Sequence, residues 1–395
     1  MDNLLIAISA VVVGSSVLAW LACQGRQPVI LGYFVCGLLL GPFSKPFFSV
    51  VGVPDVTHAV GAMDEISRLG VMLLLFLAGL VLHVDRLQTF FRTAAVVTLT
   101  KCALSWAVMF AFLIAWRFEV RDSLIAALAL MFSSTILVVK LLPTTTLHQK
   151  RMGSICIAVL IAEDLLAVVA LLFMGSAPQS GLWELLLWLP LRLVLLVAVA
   201  VAGEQFVLRR MMRRADTYAE VLMMLCLGWC VGIALLAQCM GLPYEIGAFV
   251  AGVSIARGKI ALVFSEQLKP LRDFFLMFFF FVLGAGFELS ALRSIWIPAV
   301  LATVVIAGMR PFLLAWLFQR RGEERAFALE TGFRMGQASE FALIIAVVAT
   351  QRNYLSPDVA QLVKLATVLS MLVSSYLVVL RYPTPIGVQP GLQRD

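Results

Sequence analysis

Apolar residues in this chain come in long unbroken runs, repeating from Leu4 to Leu380, with short polar intervals between them. Runs of this length match the thickness of a lipid bilayer rather than the one-sided stripe of a soluble helix. The pattern predicts an all-α polytopic membrane protein with thirteen spans, near residues 3–23, 28–41, 66–83, 93–116, 122–142, 153–175, 183–207, 218–240, 243–256, 271–287, 295–318, 326–349 and 360–380. The second and ninth are short and contain glycine, which predicts tilted or broken helices.

Composition agrees: 62% of the 395 residues are hydrophobic and 13% are charged, where a soluble domain holds about a quarter charged. The apolar stretch from Leu4 to Cys23 lacks a basic leader and runs straight into further spans, so it reads as the first of them rather than a signal peptide. The seven cysteines fall in or beside apolar segments without metal or redox spacing, and read as packing residues.

The net charge of +7 points to cytoplasmic loops, not to nucleic acid. With the N-terminus outside, the inward loops hold Arg26, Arg86, Arg92, Lys150, Arg151, the cluster Arg209, Arg210, Arg213 and Arg214, and Arg257, Lys259, Lys269, Arg272, Arg320, Arg321 and Arg325. The outward loops hold only Lys45, Arg68, Arg117, Arg121, Arg293 and Arg352. That asymmetry predicts N-out and C-in.

The chain also repeats itself. "LGYFVCG" from Leu31 to Gly37 returns as "IGAFVAG" from Ile246 to Gly252, an offset of 215. "LLLFLAG" ending at Gly79 returns as "FFFFVLG" ending at Gly284, an offset of 205 that also carries Ser134 onto Ser339. Span two thus matches span nine, and an odd separation of seven inverts the second copy in the membrane. The expected layout is a single transmembrane domain over 1–395, with a first repeat near 28–175, linking helices near 183–240 and a second repeat near 243–380. Inverted repeats place a binding site near the midplane, between discontinuous helices.

Charge within a span is costly, about 2.5–3.5 kcal/mol per group at the helix centre on insertion scales. Glu163 and Asp164 lie side by side in span six, Lys101 in span four, Arg310 in span eleven and Glu340 in span twelve. Structural ion pairing between helices is the alternative for each of them; it is the weaker reading for any single residue and weakest for the acidic doublet. Helix neighbours point about 100° apart, so one cation does not readily neutralise both. Two adjacent carboxylates repel when ionised, so a proton and a hard cation compete for the same oxygens. Ser133, Ser134 and Thr135 sit mid-span in "FSST". Their hydroxyls either bond back to their own helix or, where the helix breaks, line a cavity.

Seven motifs occur in the order found in the membrane domain of Kef-type cation:proton antiporters, which the chain resembles from about residue 28 to 350. They are "LGYFVCGLLLGP", "LGVMLLLFLAGL", "FSSTILVVKLL", "IAEDLLAVV", "IGAFVAGVSIA", "LRDFFLMFFFFVLGAGF" and "GQASEFALIIAVV". The resemblance implies a thirteen-span antiporter fold with a dimerisation domain, a mobile core and two crossing, partly unwound helices, here spans five and twelve. It implies that Asp164 binds the cation and the proton and that Ser134 and Thr135 line the site; the residues themselves add Glu163 as a second cation- and proton-binding carboxylate that tunes Asp164, and Ser133 as a further hydroxyl. It implies charge balance from Arg310, set opposite the acidic pair, and from Gln337 and Glu340 at the second crossing. The metal, a monovalent cation, would be held by Asp164 and Thr135 as cargo, with no cofactor.

The chain departs from the family pattern in several places. Glu163 replaces a usual Gln, Val81 a usual Glu, and Ala338-Ser339 a usual pair of glycines, so the second crossing is expected to unwind less. Arg at position 310 goes with electroneutral exchange in related exchangers, since guanidinium keeps its proton. No G-x-G-x-x-G follows a strand-like run, so no C-terminal nucleotide-binding domain is expected and nucleotide gating has no basis here. The expected partners are membrane lipids, a second copy in a homodimer and a separate cytoplasmic regulatory subunit, with no nucleic acid. The expected location is the bacterial inner membrane.

The function expected is therefore exchange of Na⁺ or K⁺ for H⁺ by alternating access, not enzymatic catalysis. Two alternatives stay open at this point: a gated potassium efflux pathway, and a sodium-coupled symporter of organic solutes.

Overall fold

A computed structural model describes residues 2–42, 60–81, 84–141, 147–175, 188–214, 219–256 and 260–384. The C-terminal "PIGVQPGLQRD" lies outside the described residues. The helices, in chain order, are α1 (Asp2–Gln24), α2 (Val29–Leu40), α3 (Val60–Val81), α4 (Val84–Ala115), α5 (Val120–Leu130), α6 (Thr135–Leu141), α7 (Leu147–Gly175), α8 (Leu189–Gly203), α9 (Arg209–Arg214), α10 (Ala219–Cys239), α11 (Tyr244–Ile255), α12 (Ile260–Ala285), α13 (Leu289–Arg320), α14 (Arg325–Arg334), α15 (Glu340–Gln351) and α16 (Pro357–Arg381).

Eight segments among the described residues are long and apolar enough to cross a membrane, and α2, α11 and α15 are shorter apolar helices. The chain divides into two compact units. One holds residues 1–60, 87–167 and 280–395, the other 61–86 and 168–279. In the first, α13 packs on α14 and α16, while α16 also touches α5, α6, α14 and α15. Its interior includes Val97, Val138, Val159, Leu160, Leu314 and Met335. In the second, α11 packs on α8 and α10.

Glycine sets two of the closest helix approaches. A Cβ on Gly37 would stand 2.0 Å from the Phe281 carbonyl oxygen, and one on Gly284 would stand 2.2 Å from that of Phe34. In the other unit a Cβ on Gly79 would meet Phe249 O at 2.4 Å, and one on Gly252 would meet Phe76 O at 2.1 Å. The offsets of 215 and 205 turn the first set of four residues into the second. One packing motif has been used twice, within each unit separately.

The breaks obey the same offset. Helix stops at Leu130 and restarts at Thr135; it stops again at Arg334 and restarts at Glu340, which is 205 residues beyond Thr135. Each restart is preceded by a capping serine: Ser134 Oγ accepts from Leu137 N at 3.2 Å, and Ser339 Oγ from Phe341 N at 3.1 Å. Here the expectation of a weaker second break fails, since residues 335–339 are non-helical where only 131–134 are in the first. The missing glycines are not needed, because Ser339 adopts φ −92° and ψ 155°, an extended conformation open to any residue.

Gly37→Val is expected to lower the unfolding midpoint in detergent, since overpacking costs about 1–3 kcal/mol and the opposing atom is backbone. Gly153→Ala, where nothing lies within 4 Å of the added Cβ, should leave the midpoint unchanged or raise it.

Candidate functional site

A helix that stops inside a bilayer leaves carbonyls at one end and N–H groups at the other without partners, and lipid supplies none. "FSST" and "GQAS" supply hydroxyls and amides that bond backbone as readily as a helix does. Each break needs charge as well. Lys101, on α4 and fully buried, donates to Met131 O at 2.8 Å, to Ser133 Oγ at 2.9 Å and to Glu163 Oε2 at 2.8 Å. Glu163, on α7 and equally buried, accepts from Ser133 N at 2.6 Å through the same oxygen. Ammonium thus meets the carbonyl end of α5, and carboxylate meets an N–H just before α6.

Arg310 does comparable work from α13. Its Nη1 donates to Phe132 O at 3.0 Å and to Gln337 O at 2.8 Å, one carbonyl from each break. The Gln337 side chain in turn donates to Ser134 O at 3.4 Å and accepts from Ser374 Oγ at 2.9 Å. Ser133 Oγ donates to Met335 O at 2.9 Å, and Ala338 N to Ser370 Oγ at 3.0 Å. Glu340 is buried in the first turn of α15, where a carboxylate faces the positive end of the helix dipole.

Asp164 stands apart from this bracing. Both carboxylate oxygens accept from Thr135 Oγ1, each at 3.1 Å, and no ion pair is formed by Asp164 among the described residues. It is 8% exposed while Glu163 is 0% exposed, so of the two neighbours Asp164 is the more reachable. A carboxylate and a hydroxyl facing one another are oxygen ligands of the sort a hard cation takes.

All the residues singled out in the sequence, Ser133, Ser134, Thr135, Glu163, Asp164, Arg310, Gln337 and Glu340, lie in one unit around the two breaks. Their contacts differ from expectation at two points, the first being that Glu163 of the acidic doublet is held in a buried structural ion pair with Lys101. Arg310 was expected opposite the acidic pair, yet the ion pair to Glu163 is made by Lys101, and the Arg310 contacts given above are carbonyls. The reason is the backbone: the carbonyls freed at the breaks need donors, and guanidinium spans two of them.

Several residues escaped the sequence reading. Ser370 and Ser374 support the second break from α16, and their signal was a four-residue spacing that puts both on one helix face. Fully buried Arg334 donates to Glu330 Oε1 at 2.6 Å, to Leu141 O at 2.6 Å and to Pro383 O at 2.7 Å. Glu330 and Arg334 are four apart on α14, a pairing distance visible in the sequence.

A profile of the family described as "Sodium/hydrogen exchanger, transmembrane" matches residues 8–379, nearly the whole chain. The chain belongs to the sodium/hydrogen exchanger family. Membership places it among transmembrane cation:proton antiporters. The fold of this exchanger is similar to that of the sodium proton antiporter MjNhaP1 from Methanocaldococcus jannaschii, with a TM-score of 0.64 and 18% identity. The likeness covers 95% of the exchanger and 96% of that chain.

Arg310→Met strips Phe132 O and Gln337 O of a charged donor. At about 1–3 kcal/mol for each orphaned buried group, the exchanger should lose about 2–6 kcal/mol of stability, read from its unfolding in detergent. An unchanged unfolding profile would contradict this account of Arg310.

Proposed function

We propose that this exchanger trades one monovalent cation for one proton by alternating access, with Asp164 binding either and never both. The observation that carries the reading is the contrast between two adjacent carboxylates. Glu163 is tied to Lys101 and to Ser133 N, whereas the side chain that Asp164 meets among the described residues is the Thr135 hydroxyl. A proton and a cation are interchangeable partners for such a group, and each leaves the loaded site neutral. Electroneutral exchange follows if Lys101, Glu163 and Arg310 keep their charges through the cycle.

Thr135 adds a neutral oxygen to the cation, and Ser133 and Ser134 shape the break that holds it. Gln337, Glu340 and Arg310 stabilise the second crossing. The cargo is Na⁺ or K⁺, and the family description favours Na⁺. The ordered motifs support a Kef-type relationship within the superfamily. The reading extends to two inverted repeats, near 28–175 and 243–380, and to a homodimer in a bacterial inner membrane with the N-terminus outside. The reciprocal glycine contacts and the matched breaks support the repeat. The loop asymmetry in Lys and Arg supports the orientation.

Asp164→Asn is expected to abolish cation-dependent proton movement in proteoliposomes carrying an internal pH dye. Flux at the wild-type rate in that variant would rule out the assignment. Competition also fixes a pH dependence: where protons occupy most sites, the apparent KM for the cation should rise about tenfold for each unit of acidification, as mass action requires. A KM independent of pH would show that the two ions use separate sites. Thr135→Val should raise KM more than it lowers the maximal rate, with Thr135→Ser close to wild type.

A further inference from the structure

Lys101 offers a cation no ligand, yet every donor of its ammonium is used. An ammonium has three N–H donors, and here all three are taken within 2.9 Å: by Met131 O, by Ser133 Oγ and by Glu163 Oε2. The partners are not random neighbours. Met131 O belongs to the carbonyl end of α5, where helix has stopped and where a cation is favoured. Ser133 lies inside the break, and its own N–H goes to the Glu163 oxygen that Lys101 also holds. Ser133 Oγ then passes the contact on to Met335 O, at the start of the second break.

Thr135 follows two residues later as the first residue of α6, and its hydroxyl meets both oxygens of Asp164. Asp164 is the chain neighbour of Glu163 on α7. The break is therefore pinned to α7 at two adjacent points: once by Lys101 and Glu163 through Ser133, and once by Thr135 on Asp164. Only the second point includes the carboxylate proposed to take the cation.

Resting on the antiporter reading, we infer that Lys101 is the positioning residue of the exchange site. With Glu163 it braces the interrupted backbone at residues 131–133, and thereby fixes where the Thr135 hydroxyl stands relative to Asp164. This role differs from simple charge compensation. A compensating charge is dispensable once Glu163 is neutral, whereas a brace is not, because Met131 O still needs a donor.

The test uses the full chain in proteoliposomes, with initial rates of proton movement measured over a range of Na⁺ and of K⁺ concentrations. Lys101→Met should raise the apparent KM about ten- to hundredfold, the scale of a lost hydrogen bond to a charged group, with a smaller fall in maximal rate. The double variant Lys101→Met with Glu163→Leu restores neutrality and brings no donor to Met131 O, so its KM should stay high. Lys101→Arg, which keeps a cationic donor, should return KM to within about threefold of wild type, less than half the free energy of a tenfold change.

A double variant with wild-type KM would overturn the inference and leave charge balance as the whole role of Lys101. So would an unchanged KM in Lys101→Met. Should Lys101→Met fail to fold, the double and arginine variants decide on the same criteria. The antiporter reading stands or falls separately: it fails if the wild type moves no protons with cation or if Asp164→Asn still does, whatever the Lys101 variants show.

Discussion

Backbone polar groups released inside hydrocarbon must be satisfied by the protein itself. Two helices of this exchanger stop in mid-course, and almost every costly group in the first unit is there to meet that demand. Lys101 and Arg310 reach carbonyls, Glu163 takes an N–H, and Ser134 and Ser339 cap the restarting helices. Burying Lys101 with Glu163 is no simple gain in stability, since desolvation of both offsets much of their attraction, and removing either partner costs about 3–5 kcal/mol. Their value lies in fixing an irregular backbone in one arrangement. Once that work is assigned, Asp164 is left, among the described residues, with the Thr135 hydroxyl, and the proposed exchange of ions rests on that contrast.

The same economy extends to both ends of the crossing. At one end Asp122 accepts from Ser356 N and Ser356 Oγ, and Arg121 donates to Asn353 O, so the start of α5 is joined to the turn between α15 and α16. At the other end Arg334 gathers Leu141 O, Glu330 and Pro383 O, joining the end of α6 to α14 and to the chain beyond α16. Hydrogen bonds at the two ends and the centre join the broken helices to their neighbours. The proposed alternating access would need such bracing to keep the geometry around Asp164 as the protein moves.

Much of this was legible in the sequence. Apolar runs gave the all-helical membrane fold, and the offsets of 215 and 205 pointed to residues that do meet in matched glycine contacts. "FSST" and "GQAS" marked both breaks, and Glu163-Asp164 marked the acidic doublet. Other features could not be read in one dimension. Lys101 is far from Glu163 in sequence, so nothing local paired them, and Arg310 was the more obvious counter-ion. The depth of the second break was underestimated because glycine was taken as the requirement, whereas a serine in extended conformation suffices. Arg334 was overlooked although Glu330 stands four residues before it, because its two carbonyl partners lie on α6 and beyond α16, and only the fold assembles them.

The central claim is that one carboxylate holds either a proton or a cation. It is tested most directly by counting protons released as Na⁺ or K⁺ binds to the purified exchanger in weakly buffered detergent. The account predicts release approaching one proton per cation bound at a pH where Asp164 is protonated, and none from Asp164→Asn. Cation binding without proton release, or release that survives in Asp164→Asn, would contradict it.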